Sequence, residues 1–506
     1  MHIRLSGKEG PTIAGDTVVL VNTNEMRPRI APIALDYIGG ALTQAGYEVQ
    51  LADLSWADDA AVVLANVLRT AEPRLVAVTF RNSDDCFWPS AASFVPRLVE
   101  IIGSIRTVTD APVVLGGAGL SVFPEPILEA CGCEFGVRGE GEVALVRLLQ
   151  ALESGNGLDE VPGLVRRAKD RGRDEWVRNP LRSPADLALP CSRDLVDNPR
   201  YFREGGQAGV ETKRGCDRAC TYCADPVIKG ACVRTRSPAE VANEVEALLR
   251  QGIDVLHLCD SEFNVPPEHA LAVCQELVAR GLGGRVRWYT YAAVSPFSDE
   301  LAHAMRQAGC VGVNFGADSA NAEMLRTYGR RHTKEDVFAA IEHCRRHGIR
   351  VMIDLLLGGP GETEVTVRET IEAMKQAGPD CVGAALGVRL YPGTSLTRKL
   401  AAGGDLAANP HLRRRGIPAL ADIRAEDSLP GQLLQPTFYI SRELGENPAG
   451  LVVDIIGGDE RFFEPIPEQS TGNYNYNENL PLIEAIANGA RGAYWDILSQ
   501  MKGAGS

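Results

Sequence analysis

Two series of apolar runs, each run followed by a helix-patterned stretch, constrain this chain more than anything else in it. From Thr17 to about Gly155 the runs TVVLVN, RLVAVTF, APVVLGG and CEFGV alternate with stretches such as APIALDYIGGALTQAG. Strands joined through helices return in the same direction, so residues 1–160 are expected to form a doubly wound, Rossmann-like α/β domain. Residues 161–207, rich in Pro, Arg and Asp and weakly periodic through RSPADLALPCSRDLVDNP, read as a linker with short helices. The second series, GVETK, IDVLHL, VRWYTYA, VGVNFG, VMIDLLL and CVGAALGVRL, has six strands, so residues 208–400 are expected to form a partial (β/α)6 barrel of the TIM type.

Local signals agree with the second series. Ser237-Pro238-Ala239-Glu240 has capping-box spacing with Pro at the first helical position, and Thr333 precedes Asp336 in the same way. The helix after Pro267 is expected to bury Leu271, Cys274, Leu277 and Val278. Beyond 401 the rhythm stops. Residues 401–506, with DERFFEPIPEQ, the polar-aromatic GNYNYNEN and an amphipathic helix from Leu480 to Met501, are expected to be a small mixed α+β unit that caps the site.

A chain of 506 residues with 45% apolar composition is too long for one ordinary core. Net charge of -14 without a long basic run disfavours nucleic-acid and anionic-membrane partners, and favours a small-molecule or peptide substrate. There is no apolar run of membrane-spanning length, and MHIRLSGKEG lacks the apolar stretch of a secretion signal, so a cytoplasmic protein is expected. The 13 Cys are scattered rather than framed for disulfides, which suits reduced thiols with one functional cluster among them.

That cluster is ETKRGCDRACTYCADP, where Cys216, Cys220 and Cys223 stand at C-x3-C-x2-C spacing just after the first barrel strand. Three thiolates bind three irons of a cubane and leave the fourth open to a chelating amino and carboxylate group. The competing reading is a zinc knuckle, but zinc takes four N or S ligands, and the nearest further candidate, Cys232, lies nine residues on.

On these cysteines residues 209–400 resemble the radical SAM superfamily, whose members bind S-adenosylmethionine (SAM) at a 4Fe-4S cluster. The resemblance places Tyr222 near the adenine and assigns the SAM amino group to Asp260, Ser261 and Glu262 in CDSEFN. It assigns the SAM ribose or carboxylate to Asp318 in FGADS, where a longer Glu is often found. Gly358, Gly359 and Gly361 in LLLGGPGET match the turn whose backbone lies against adenine, although Gly-Pro-Gly can also be a plain turn. Arg389 and Tyr391 in VRLYPGTSL, and Tyr291 in RWYTYAAVSPF, are the candidate catalytic residues, facing either substrate or core. Trp288, Tyr289, Tyr291, Tyr474 and Tyr476 either line an aromatic substrate pocket or pack.

A doubly wound domain ahead of such a barrel resembles the cobalamin-binding domain of cobalamin-dependent radical SAM enzymes, over residues 12–155. RPRIAPIALDYIGGAL, TFRNSDD, LGGAGLSVFPE and GEGEVALVRLL follow in the expected order. Between residues 3 and 256 there is no His, so this domain offers no imidazole to cobalt. Arg81 is a candidate to cover the lower face of the corrin, with pairing to Asp84 or Asp85 as the alternative. Asn82 and the close-approach glycines Gly116, Gly117 and Gly119 complete the set. Dinucleotide binding is disfavoured because Asn22, Thr23 and Asn24 follow the first strand where G-x-G-x-x-G would stand.

Together the resemblances imply a methyltransferase that passes a methyl group from SAM through methylcobalamin to a substrate carbon, in natural-product biosynthesis. Either a deoxyadenosyl radical first removes hydrogen, or an electron-rich carbon attacks directly, as in a tryptophan-methylating branch. A donor such as flavodoxin or ferredoxin supplies electrons. Two alternatives remain: ring cyclisation or rearrangement without methylation, and a non-catalytic corrinoid or cluster carrier.

Overall fold

The computed structural model describes residues 17–170, 173–183, 187–190, 192–404, 409, 411, 437–468 and 470–504. The opening segment MHIRLSGKEG and parts of the expected linker and of 401–506 lie outside the described residues. No helix among the described residues is long and apolar enough to cross a membrane.

The first sheet holds β1 (Thr17–Asn22), β2 (Glu48–Asp53), β3 (Leu75–Thr79), β4 (Val113–Gly116) and β5 (Phe135–Val137), followed by β6 (Leu164–Asp170) and β7 (Arg173–Arg178). Their order is β2-β1-β3-β4-β5-β6-β7, parallel as far as β5. β1 is buried along its whole length, as a central parallel strand covered on both faces must be. Strand order reverses between β1 and β3, and the crevice at their carboxyl ends is where an open sheet of this kind takes ligands. The antiparallel hairpin β6-β7 corrects the expected linker, since residues 164–178 extend the first sheet. Its charge-dense sequence, LVRRAKD and RDEWVR, belongs to a sheet edge and hides the strand signal.

The second sheet is built from β8 (Ala208–Val210), β11 (Val255–Leu258), β12 (Arg287–Ala292), β13 (Cys310–Asp318), β14 (Arg350–Leu357) and β15 (Cys381–Leu386). Between β8 and β11 a small ladder pairs β9 (Lys213–Arg214) with β10 (Arg234–Thr235). After β15, β16 (Val388–Leu390) pairs antiparallel with β17 (Thr437–Tyr439), and β18 (Phe462–Phe463) joins the barrel sheet beside β15. The run CVGAALGVRL is therefore two strands, broken at Gly387, whose φ is +92° and whose missing Cβ would lie 3.2 Å from Trp88.

Both expected capping boxes form, at Ser237–Glu240 and Thr333–Asp336. The helix Pro267–Ala279 is turned slightly from its expected phase: it buries Ala270, Val273, Cys274 and Leu277, and Val278 is 43% exposed. The expected helix over Leu480–Met501 is two, Leu480–Ala487 and Tyr494–Ala504, separated at Gly489 and Gly492, both with positive φ. The described C-terminal residues do not build a core of their own. Leu482, Ile486, Trp495 and Leu498 pack on Val255, Tyr289, Met352 and Cys381 and plug one end of the barrel.

Candidate active site

Strand parity shows that the barrel is hollow above this plug. Leu256, Trp288, Val313, Phe315, Ile353, Leu355 and Val382 face the surrounding helices and are fully buried. The alternate residues face inward. Low on the strands they meet the plug, but further along His257, Gly316, Asp354 and Ala385 are partly exposed and Tyr291 is 44% exposed. Tyr474 and Tyr476 reach into this space, with rings 6.0 Å apart, and Tyr474 donates a 3.0 Å hydrogen bond to Asp354. Trp288 turns the other way and bonds the Ala308 carbonyl, while Tyr289 bonds Asp496 of the plug, so of the aromatic set Tyr291, Tyr474 and Tyr476 line the interior.

The cysteine loop stands at the carboxyl end of the barrel. Cys216 is buried, and Cys220 and Cys223 are half-buried. The Asp225 N–H points to Cys223 Sγ at 3.4 Å and the Arg330 guanidinium donates to Cys220 Sγ at 3.2 Å, an arrangement that favours anionic sulfur. Burial pushes the Cys216 thiol up to about 11 and the Cys223 thiol up to about 12, so iron binding releases protons. Among the described residues no three His, Cys, Asp or Glu side chains gather tightly enough to hold a single metal ion. Cys232 is exposed, and His332, which lines the cavity beside Cys220, is turned to the Ala317 carbonyl. The donor set fits a cubane, whose thiolates bind separate irons, better than a tetrahedral zinc.

The acids of CDSEFN divide into different roles. Asp260 is buried and accepts from the Thr212 N–H (2.8 Å), the Thr212 hydroxyl (2.5 Å) and the Lys213 N–H (3.1 Å). It therefore holds the backbone that leads into the cysteine loop, a role the motif did not suggest. Ser261 is likewise occupied, donating to Asp225 at 2.6 Å and accepting from Lys229 at 3.2 Å. Among the described residues the Glu262 carboxyl group has no hydrogen-bond partner; it lines the cavity with Arg218, Cys220 and Arg330, and burial lifts it to about 7 against the pull of the two arginines.

Asp318 and Tyr222, expected to touch different parts of SAM, bind each other at 2.6 Å. Asp318 also pairs with Arg330 at 3.0 Å and sits at φ +63°, beside a register shift in β13. Gly359 is required by packing: a Cβ there would lie 2.2 Å from the Tyr328 hydroxyl. Gly358, at φ +93°, donates with Gly359 to the buried Glu362, so that carboxylate fixes the turn. Arg330 and Tyr328 escaped the sequence reading because each acts on a motif residue from a distant segment, and Glu362, although it stands in LLLGGPGET, escaped it because the reading of that turn rests on its glycines alone.

In the first domain two cavities meet at Asn24 and Arg81. One, of about 310 Å³, runs among Ile33, Thr79, Gly116, Gly117, Glu140 and Lys229. The other, of about 490 Å³, runs among Phe80, Asn82, Arg97, Asn475 and Glu478. Arg81 is exposed, its guanidinium has no hydrogen bond or ion pair among the described residues, and its charge acts on Tyr291 and Tyr494 across the domain boundary. The alternative pairing does not occur: Asp84 pairs with Arg389, and Asp85 accepts from Ser90 and the N–H groups of Phe87 and Ala92. Gly116 leaves open space, whereas a Cβ on Gly117 or Gly119 would strike the Phe80 backbone at 2.5 and 3.0 Å. Packing of one loop on another accounts for those two glycines. A cation without a partner among the described residues and a cavity at the strand-order reversal give this crevice a lining that fits a corrin.

Arg389 is turned toward the first domain, ion-paired to buried Asp84, with Tyr391 stacked 4.9 Å from its guanidinium. These two expected catalytic residues tie the domains together, and Tyr291 is the member of the catalytic set that lines the chamber.

The B12 binding domain model matches residues 19–149, and the radical SAM superfamily model matches residues 210–374. The tryptophan 2-C-methyltransferase of Streptomyces laurentii is 34% identical, across 76% of this chain and 74% of that protein. The structure of the radical S-adenosylmethionine methyltransferase TsrM from Kitasatospora setae, with tryptophan substrate and the SAM analog aza-SAM bound, superposes with a TM-score of 0.86 at 32% identity, covering 97% of this chain and all of that one. The same enzyme with cobalamin and a [4Fe-4S] cluster bound gives 0.83 at 30% identity over the same share of this chain. With both domain models matched in the order in which the two sheets follow each other, and a methyltransferase relative aligned through both, this chain belongs to the cobalamin-dependent radical SAM methyltransferases.

Proposed function

We propose that the enzyme methylates a ring carbon of tryptophan or a close indole relative, by attack of the electron-rich carbon itself, as a step in natural-product biosynthesis. The observation that carries this is the hollow barrel interior, lined by Tyr291, Tyr474 and Tyr476 between the cysteine loop and the plug. The similarity to enzymes named for tryptophan supports it. When bound, SAM would supply the methyl group, cobalamin would relay it and the 4Fe-4S cluster would anchor SAM; the transfer releases the carbon's proton and is redox-neutral, so an electron is needed only to bring cobalt to its reduced form. Cys216, Cys220 and Cys223 hold the cluster, with Arg330 and the Asp225 N–H directed at its sulfurs. Asp260 and the Asp318–Tyr222 pair keep the loop in place. Arg81, Asn82, Gly116 and Gly117 line the crevice that would receive the corrin, and Arg81 would present a cation to it rather than a donor to cobalt. Reducing equivalents come from a donor such as flavodoxin or ferredoxin.

Glu262 is the carboxylate left for the positive centre at the open corner of the cluster, whether the SAM ammonium or the iron without a thiolate. It becomes anionic as pH rises through about 7. Turnover at low SAM is therefore expected to climb across that range. Glu262→Gln should turn over more slowly and lose this limb of the pH profile, and Mössbauer spectra of the two proteins should differ at one iron only where the carboxylate binds iron.

The function itself is tested with anaerobically reconstituted enzyme, tryptophan and SAM carrying a carbon-13 methyl group. The label is expected on an indole carbon by NMR, with S-adenosylhomocysteine formed in step and no 5'-deoxyadenosine. Unlabelled tryptophan, recovered while SAM is consumed, would overturn the reading.

A further inference from the structure

Asp354 lies midway along β14, inside the barrel, and its neighbours in register on either side are Gly316 and Gly383. A Cβ on Gly383 would lie 2.8 Å from Asp354 Oδ1 and 2.1 Å from the Tyr474 ring, so the missing side chain is what lets these groups come together. Tyr474 donates to the carboxylate at 3.0 Å, and the Asn314 side chain acts to lower its pKa against the effect of burial. Among the described residues no cation acts on it; the other charge that does is Asp318, also negative. The Asn314 Oδ1 and Tyr476 Oη atoms are buried without a hydrogen-bond partner among the described residues, and both side chains are near enough to Asp354 to interact with it electrostatically. A carboxylate inside the barrel, largely screened from water and with no counter-ion, next to two unfilled polar atoms, is unfavourable unless a ligand completes it.

We propose that Asp354, Asn314 and Tyr476 form a binding site for a primary ammonium group, the α-ammonium of the amino-acid substrate. The ligand class follows from counting donors and acceptors. An ammonium has three N–H donors and a positive charge, matching one carboxylate and two neutral oxygens. An indole N–H would satisfy one of the three, and a substrate carboxylate would be repelled. The tyrosine rings around the site add faces that attract a cation. Burial holds the Asp354 carboxyl up at about 6, so a ligand cation would also draw it fully into its charged form. This assignment rests on the tryptophan reading above and adds to it the end of the molecule that the barrel grips.

Equilibrium dialysis of the cofactor-loaded enzyme against three ligands tests it. Tryptophan has both groups, 1-methyltryptophan keeps the ammonium but lacks the indole N–H, and indole-3-propionate keeps the N–H but lacks the ammonium. Asp354→Asn is expected to weaken tryptophan and 1-methyltryptophan by about tenfold to a hundredfold, the range for a hydrogen bond to a charged group, and to leave indole-3-propionate unchanged. Tyr476→Phe, which keeps the ring, should weaken the same two several-fold and serves if the Asp354 variant folds poorly. Equal losses on all three ligands, or losses confined to those with an indole N–H, would overturn the assignment. Wild-type enzyme that binds none of the three would sink the tryptophan reading as well, whereas tight tryptophan binding unchanged in both variants would sink the ammonium site alone.

Discussion

Alanine at Cys216, Cys220 or Cys223 is expected to abolish methylation and to leave the protein with background iron content, while its far-ultraviolet circular dichroism stays that of the wild type. The effect is large because a cubane held by three thiolates has no spare protein ligand: Cys232 is exposed and His332 is committed to a backbone carbonyl. The fold should survive, because the loop is fixed by other contacts. Asp260 grips Thr212 and Lys213, the Cys216 N–H bonds the Gly230 carbonyl, and the Thr221 N–H bonds the Tyr328 carbonyl. Iron and sulfide analysis with visible spectroscopy measures the loss; a variant that kept a full cluster would contradict the assignment.

Arg193→Ala is expected to cost about 3–5 kcal/mol of stability, the range for breaking a buried ion pair from one side. Its guanidinium is fully buried at the junction of the two domains, 2.8 Å from both Asp36 and Glu244 and 3.0 Å from Asn198. Glu244 would keep Arg236 and Tyr37, but Asp36 would lose its cation. The Gly209 carbonyl on β8 would also lose a donor at 2.9 Å, so the damage reaches the strand that leads to the cysteine loop. The comparison is Arg345→Ala, whose partner Glu342 is as exposed as the arginine, with an expected cost of about 0–1 kcal/mol. Thermal unfolding of both variants under identical cofactor loading checks the contrast, and similar midpoints would refute it.

Local features were legible in the sequence. The βα rhythm, the capping boxes at Ser237 and Thr333 and the cysteine spacing are set by residues close together in the chain, and the structure shows both capped helices and a strand in each apolar run, with CVGAALGVRL and GVETK split in two. What escaped is set by distant contacts. The hairpin over 164–178 is a charged sheet edge, with no apolar alternation to mark it. In CDSEFN nothing local separates Asp260, which faces Thr212, from Glu262, which faces the cavity. Arg389 stood where a substrate contact was expected, and only the docking of the two domains brings Asp84 to it. The chamber around Asp354 depends on which residues lie beside it in register, and that places Gly316 and Gly383 there from other strands.

The most direct test of the account is the yield of labelled product when anaerobically reconstituted enzyme, with its cluster intact, is given SAM carrying a labelled methyl group and tryptophan, with and without cobalamin. The account predicts that methylated product carrying the label forms only in the sample that contains cobalamin. Equal yields in the two samples would contradict it.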